Sequence, residues 1–137
     1  MNNAELIITL TLIKGLGRKT INKIIRQGVL NSLETSETID YLKNINLKIK
    51  GIITKDELKY ANEVAKRTIE ICDKEDIKIS TLLDEDFPQK LKNIDDNPVI
   101  IYSKGDYNNL NDKGVAIIGS RNPSLHGVNV SYKISSI

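Results

Sequence analysis

The sequence has little of what stabilises secreted proteins or anchors membrane proteins. Its 137 residues include one cysteine, Cys72, so no disulfide can close within the chain, and this favours a reducing compartment. No apolar run approaches the roughly 20 residues that a membrane span needs. Residues 1–5 carry an acid and no cation, unlike the start of a secretory signal peptide. We therefore expect a cytoplasmic protein that has no membrane partner.

Aromatic residues and histidine are also scarce. The chain has one phenylalanine, no tryptophan and one histidine, although hydrophobic residues make up 39% of it. The core must therefore consist mainly of Ile, Leu and Val. Few rings are available to stack on nucleic-acid bases, and Tyr102, Tyr107 and Tyr132 are better explained as packing residues. Because His126 and Cys72 have no matching cluster of acids, we expect no metal, no cofactor and no catalytic centre.

Acidic residues are missing from one basic segment near the N-terminus. Residues 6–33 carry five cations and no acid, and the cations are Lys14, Arg18, Lys19, Lys23 and Arg26. The net charge of +2 says little by itself. The region from Asp76 onward contains 7 basic and 8 acidic residues. The excess of positive charge is therefore concentrated in the N-terminal segment.

The first 75 residues show mainly helical spacing. A first helix is favoured over residues 6–13, although adjacent β-branched residues there also fit a strand. A second helix follows Gly17 and ends at Gly28, and the spacing at residues 36–45 predicts a third. Thr54 and Glu57 form a capping box that opens a longer helix, whose inward face carries Leu58, Ala61, Ala65, Ile69 and Cys72. We predict a small all-α domain over residues 1–75.

The pattern changes period at about residue 76. Alternation over Ile77–Thr81 and an apolar run at residues 99–102 predict two strands, with a short helix after Pro88 between them. Residues 115–118 are apolar without alternation, which is typical of a strand buried on both faces of a parallel sheet. A helix follows from about Gly127, and no further strand remains to complete the sheet. We predict an α/β protein whose second domain, residues 76–137, is an incomplete parallel-sheet domain.

A candidate phosphate-binding turn follows the third predicted strand. Gly119 lacks a Cβ and lets backbone amides approach an anion, Ser120 adds a hydroxyl, and Arg121 adds a planar fork of donors. The helix that starts near Gly127 would point its free N–H groups at the same place. The motif is neither a dinucleotide-binding fingerprint nor a P-loop. The alternative is that Gly119 only turns a loop and Arg121 is a solvated surface residue.

Four motifs in order give this region a family resemblance. They are DFPQKL (86–91), NPVIIY (97–102), KGD (104–106) and VAIIGSRNPSLHG (115–127). In this order and spacing they resemble the DNA-processing protein A (DprA/Smf) family. The resemblance implies a small SAM-like or helix-hairpin-helix front domain followed by a Rossmann-like domain. The match is detailed over the C-terminal part and general over the helical front end.

The resemblance also implies a function. Members bind and protect single-stranded DNA without sequence preference, and they load a RecA-type recombinase onto it during natural transformation in competent cells, without catalysis. Carried over, this implies that Gly119, Ser120 and Arg121, with Gly127 beside them, contact DNA phosphate, and it allows a homodimer. Two features depart from the family. His126 stands where Tyr is usual, and the strands that carry a second glycine-rich loop and the dimer and recombinase surfaces are absent.

A second candidate site comprises Gly15, Gly17, Arg18 and Lys19. The segment resembles the hairpin of a helix-hairpin-helix motif, in which two glycines expose backbone amides to a DNA phosphate and the following cations add charge. Such contacts are independent of base sequence because phosphates carry no base identity. An ordinary glycine turn on a solvated basic face explains the residues about equally well, and the absence of acids nearby favours DNA.

Two alternatives to DNA binding remain open. A nucleotide-binding Rossmann-like enzyme would need a second glycine-rich phosphate loop and an acid near it, and the sequence has neither. Stabilisation by AMP without any response to DNA would favour this alternative. A non-functional truncated fragment would leave strand edges and apolar faces exposed, and it would show poor NMR dispersion after about Asp76.

Overall fold

The computed structural model describes residues 2–28 and 54–136. Within these ranges the elements are α1 (Asn3–Leu12), α2 (Arg18–Arg26), α3 (Lys55–Lys74), β1 (Ile77–Thr81), α4 (Gln89–Lys92), β2 (Ile100–Lys104), a 3-10 helix (Tyr107–Leu110) and α5 (Leu125–Ser135). The mixture of helices and strands predicted from the sequence is confirmed. The helix predicted at residues 36–45 lies outside the described residues.

The first element is a helix, although its sequence also fitted a strand. The Asn2 side chain accepts a hydrogen bond from the Glu5 N–H at 2.8 Å and so caps the first turn. The hydroxyls of Thr9 and Thr11 donate to the carbonyls of Glu5 and Ile8, both at 2.7 Å, which satisfies them within the helix. Residues 6–10 are all buried, so α1 is surrounded by the rest of the protein.

Helix α3 follows the prediction closely. Thr54 caps its start, and the Glu57 side chain bonds back to the Thr54 backbone, so the capping box is present. Of the five residues predicted to face inward, Leu58, Ala61, Ala65 and Cys72 are buried and Ile69 is half-buried. Two of the four are alanines, which allows α1 to approach this face closely, and α1 and α3 form the most extensive helix contact among the described residues.

The two strands pair in the opposite direction to the one expected. β1 and β2 are antiparallel, with Ile77 opposite Lys104 and Thr81 opposite Ile100. The Leu82 N–H donates to the Val99 carbonyl at 3.0 Å, so the two ends of the connection between the strands meet. Because the connection returns to the end of the sheet where it began, the second strand must run back along the first. The prediction of a parallel sheet is wrong for these two strands.

The main core lies where α1 meets its neighbours. Its buried members are Leu6, Ile7, Leu10, Ile13, Leu16, Ile21, Ile24, Leu58, Ala61 and Val99. Leu83 and Ile100 pack against this cluster from the strand region. The core therefore includes residues from both sides of the domain boundary predicted at residues 75 and 76, and that boundary stays a prediction.

Residues 115–118 differ most from the expectation. They have no strand assignment, and Val115 is 85% and Ile118 93% exposed. The prediction that they form a buried strand is wrong for this structure, because none of the described segments pairs with them or covers them. A non-alternating apolar run shows that a segment could be buried on both of its faces. Burial also requires other segments that cover those faces.

The turn between α1 and α2 depends on Gly15. This residue has a φ of +92°, in the region that L side chains rarely adopt. The turn brings Ile13 and Leu16 into the core. Gly17 begins α2 with ordinary extended backbone and has open space where a Cβ would lie.

We expect Gly15→Ala to lower the free energy of unfolding by about 1–2 kcal/mol, because alanine is strained at positive φ. Urea denaturation followed by circular dichroism measures the loss. Gly17→Ser is the matched control, since its hydroxyl can cap α2 and stability should be kept or raised. Equal losses in the two variants would contradict this account of the turn.

Candidate nucleic-acid interface

Gly119, Ser120 and Arg121, called here the GSR turn, lie together on the surface. All three residues are exposed. The Ser120 hydroxyl accepts from the Asn122 N–H and donates to the Asn122 carbonyl, both at 3.2 Å, which folds the turn back on itself. A Cβ added to Gly119 would meet nothing within 4 Å. Nothing in the described part of the chain therefore requires glycine here, and the space that a side chain would fill lies on the outer surface.

Helix α5 begins next to the GSR turn, two residues earlier than predicted. The side chain of Ser124 caps it by accepting from the Gly127 N–H at 3.2 Å, and the Ser124 carbonyl accepts from Val128. The predicted start near Gly127 is therefore slightly wrong. The Gly127 N–H, which the sequence suggested for phosphate, is already bonded to Ser124.

A groove of about 480 Å³ separates the extended segment from α5. Its lining residues are Ile117, Ile118, Gly119, Ser120, Pro123, Gly127, Val128, Ser131, Tyr132 and Ser135. Three of the four predicted residues of this site thus share one groove, and Arg121 lies outside its lining. Apolar side chains and hydroxyls both line the groove, and no acidic residue lines it.

The second candidate site spans the turn before α2 and the start of that helix: Gly15 and Gly17 precede the helix, and Arg18 and Lys19 are its first two residues. A turn between two helices is confirmed, whereas its use for DNA stays a prediction. The sequence did not indicate that Arg18 has an acidic partner. Its guanidinium makes a two-bond ion pair with Asp96, with Nε donating to Oδ1 at 3.1 Å and Nη2 donating to Oδ2.

A buried hydrogen bond lies beside this ion pair. Asn22 and Asn97 are both buried, and the Asn22 side-chain N–H donates to the Asn97 backbone carbonyl at 2.9 Å. The sequence indicated only a turn at residues 95–98. No local pattern could show that this turn packs against α2, because the partners are separated by more than seventy positions.

A second pocket, called here the α2 pocket, lies between α2 and that turn. Its volume is about 490 Å³, and its lining residues are Lys19, Asn22, Lys23, Arg26, Gln27, Asp95 and Asp96. Of the four residues predicted for the hairpin site, only Lys19 lines this pocket. The sequence grouped these cations by charge alone and missed the acidic wall opposite them.

The remaining candidates lie elsewhere. Tyr102 is half-exposed on β2, where burial raises its pKa and the neighbouring Cys72 thiol adds to the rise. Tyr107 packs under Lys78, whose Nζ lies 3.6 Å from the ring centre. His126 is exposed. In the described ranges, no group of three His, Cys, Asp or Glu residues could hold a metal ion, and no helix is long and apolar enough to cross a membrane.

Replacing Asn22 by Ala should lower the free energy of unfolding by about 1–2 kcal/mol, because the buried Asn97 carbonyl loses its donor. Thermal and urea denaturation measure the effect. Lys23→Ala is the control on the same helix, since Lys23 is exposed and its loss should change stability by no more than about 0.5 kcal/mol. If Asn22→Ala costs no more than the control, this hydrogen bond does not hold α2 to the turn.

Comparison with known proteins agrees with the resemblance read from the motifs. No curated protein and no solved structure matches the chain. Residues 78–137 match the model of one family, described as DNA recombination-mediator protein A. The matched range contains both strands, the GSR turn and α5, and the match supports a general role in DNA processing and recombination. Over this segment, somewhat less than half of its length, the chain is similar to the DNA recombination-mediator protein A family.

Proposed function

We propose that this protein binds single-stranded DNA without sequence preference, as a DNA-processing protein in DNA uptake and recombination, and that it catalyses no reaction. The observation that carries the proposal is the exposed GSR turn beside the start of α5, inside the segment that matches the family. Free backbone, a hydroxyl and a guanidinium are the groups that bind phosphate oxygens without contacting bases.

The electrostatics of the turn favour an anion. Arg121 is exposed and has no ion pair within the described ranges, so its five N–H donors are available to a ligand. No Asp or Glu follows Asp112 in the sequence, so no carboxylate on the turn or on α5 competes for the guanidinium. The positive end of the α5 dipole lies at Ser124, next to the turn.

The groove beside the turn favours a single strand over a duplex. Ile117 and Ile118 are exposed on one side of it, and Tyr132 is 74% exposed at its edge. Unpaired bases have apolar faces that can rest on such side chains, whereas a duplex presents mainly its phosphates. Strand preference would then come from this groove, and the GSR turn would supply affinity for phosphate.

The proposal extends to partners. A chain of this family that holds single-stranded DNA would present it to a RecA-type recombinase, and a homodimer would place two phosphate sites on one strand. The family match supports recombination mediation in general. Two modest sites on one strand would also give strongly salt-dependent binding.

The first test removes one cation from each candidate site. We expect Arg121→Ala combined with Lys19→Ala to weaken binding to a labelled dT oligonucleotide about tenfold, because charge-assisted contacts to phosphate are lost. Fluorescence anisotropy at fixed low salt measures the affinity. The control is Lys55→Ala combined with Lys59→Ala, which removes the same charge from exposed positions on α3. Unchanged binding in the double variant, beside a wild type that binds, would reject both sites.

The second test separates folding from binding at Gly119. Since an added Cβ has open space and φ is not left-handed, Gly119→Ala should leave the melting temperature unchanged. It should weaken oligonucleotide binding about three- to tenfold, because the methyl group would stand where the phosphate approaches. Gly114→Ala also has open space and lies outside the turn, so it should change neither property. Equal affinity in the two variants would mean that Gly119 does not face DNA.

A further inference from the structure

We propose that the α2 pocket is a second, separate site that binds a chain of consecutive phosphates. If the phosphates belong to DNA, this proposal rests on the proposed function and adds a second binding site to it. The ligands for phosphate are Lys19, Lys23 and Arg26, and the hairpin glycines play no part in it.

The three cations form one row. They lie at positions i, i+4 and i+7 of α2, so they share one face of the helix, opposite the buried Ile21 and Ile24. At 1.5 Å per residue the row is about 10 Å long, the axial length of about three nucleotides of one strand. All three side chains are exposed, and none has an ion pair with any described residue.

The charge of the pocket favours an anion despite its acidic wall. Arg18 neutralises Asp96 in a two-bond ion pair, and Asp95 has no cation bonded to it in the described part of the chain. Four cations thus face two carboxylates, leaving a net charge of +2. Asp95 is then the group that limits affinity, because it repels the ligand from the rim.

The pocket is both rigid and polar. The Arg18–Asp96 pair and the Asn22–Asn97 hydrogen bond hold its two walls together. Every lining residue is charged or an amide, so no aromatic or aliphatic side chain lines the pocket for a base or an aromatic ring to pack against. A ligand of spaced negative charges fits it, and the groove beside the GSR turn, which has apolar walls, suits bases instead.

Two sources could supply such a ligand, a nucleic-acid backbone or a free polyphosphate. The experiment therefore uses the full chain labelled with ¹⁵N and two probes, a dT oligonucleotide and inorganic tripolyphosphate, followed by two-dimensional NMR. A polyglutamate peptide of similar charge is the third probe. We expect both phosphate probes to shift amides of α2 and polyglutamate to shift them much less.

The outcomes separate this proposal from the proposed function. Shifts on α2 with tripolyphosphate but not with the oligonucleotide would support the pocket and reject DNA binding there. Oligonucleotide shifts at the GSR turn without any on α2 would support the proposed function and overturn the pocket. No α2 shift with either phosphate probe, or a larger shift with polyglutamate, would also overturn it.

Variants make the test quantitative. Lys23→Gln combined with Arg26→Gln should weaken tripolyphosphate binding about tenfold, and for the oligonucleotide it should lower the slope of log K against log salt by about 1.4. The control is Lys55→Gln combined with Lys59→Gln. Asp95→Asn should strengthen binding about two- to threefold, whereas Glu63→Gln on α3, an equal change in charge, should not. NMR dispersion confirms that each variant is folded, and weaker binding in Asp95→Asn would overturn the proposal.

Discussion

Burial of α1 is the constraint on which the rest of the described structure depends. Leu6, Ile7, Ile8 and Leu10 point in different directions around the helix and all are buried, each contributing about 1.5–3 kcal/mol. A helix that is apolar all round cannot lie on a surface, so other elements must cover it on several sides. Helix α3 covers one side, α2 another, and β1 and β2 pack near its remaining face.

The position of α2 follows from that arrangement. Its apolar residues Ile21 and Ile24 are drawn into the core, and this turns Lys19, Lys23 and Arg26 outward. The turn at residues 95–98 approaches the same end of the core because Val99, the next residue, is a core member. Arg18 and Asn22 then bond to that turn. A polar pocket is therefore formed by elements that hydrophobic burial brought together.

The sequence predicted the parts that local patterns determine. The capping box at Thr54, the inward face of α3, the stop at Gly28 with a φ of +71°, and strand β1 are all confirmed. It did not predict the antiparallel pairing, because direction depends on where the connection returns. The Arg18–Asp96 pair was missed for the same reason, since its partners are distant in sequence. Burial of residues 115–118 was wrongly expected, because an apolar run does not show whether any segment covers it.

The two candidate sites differ in how their geometry is maintained, and this difference bears on how they would act. The walls of the α2 pocket are held by a core, an ion pair and a buried hydrogen bond, so the helix backbone that carries its cations is positioned before any ligand arrives. The GSR turn is held mainly by the local bonds of Ser120 and Ser124, and the segment before it is exposed. The geometry of the GSR turn therefore depends on bonds between neighbouring residues, and that of the α2 pocket on contacts between distant ones. Because both candidate sites lie on one chain, a strand bound at either would have a raised effective concentration at the other wherever its length spans the two.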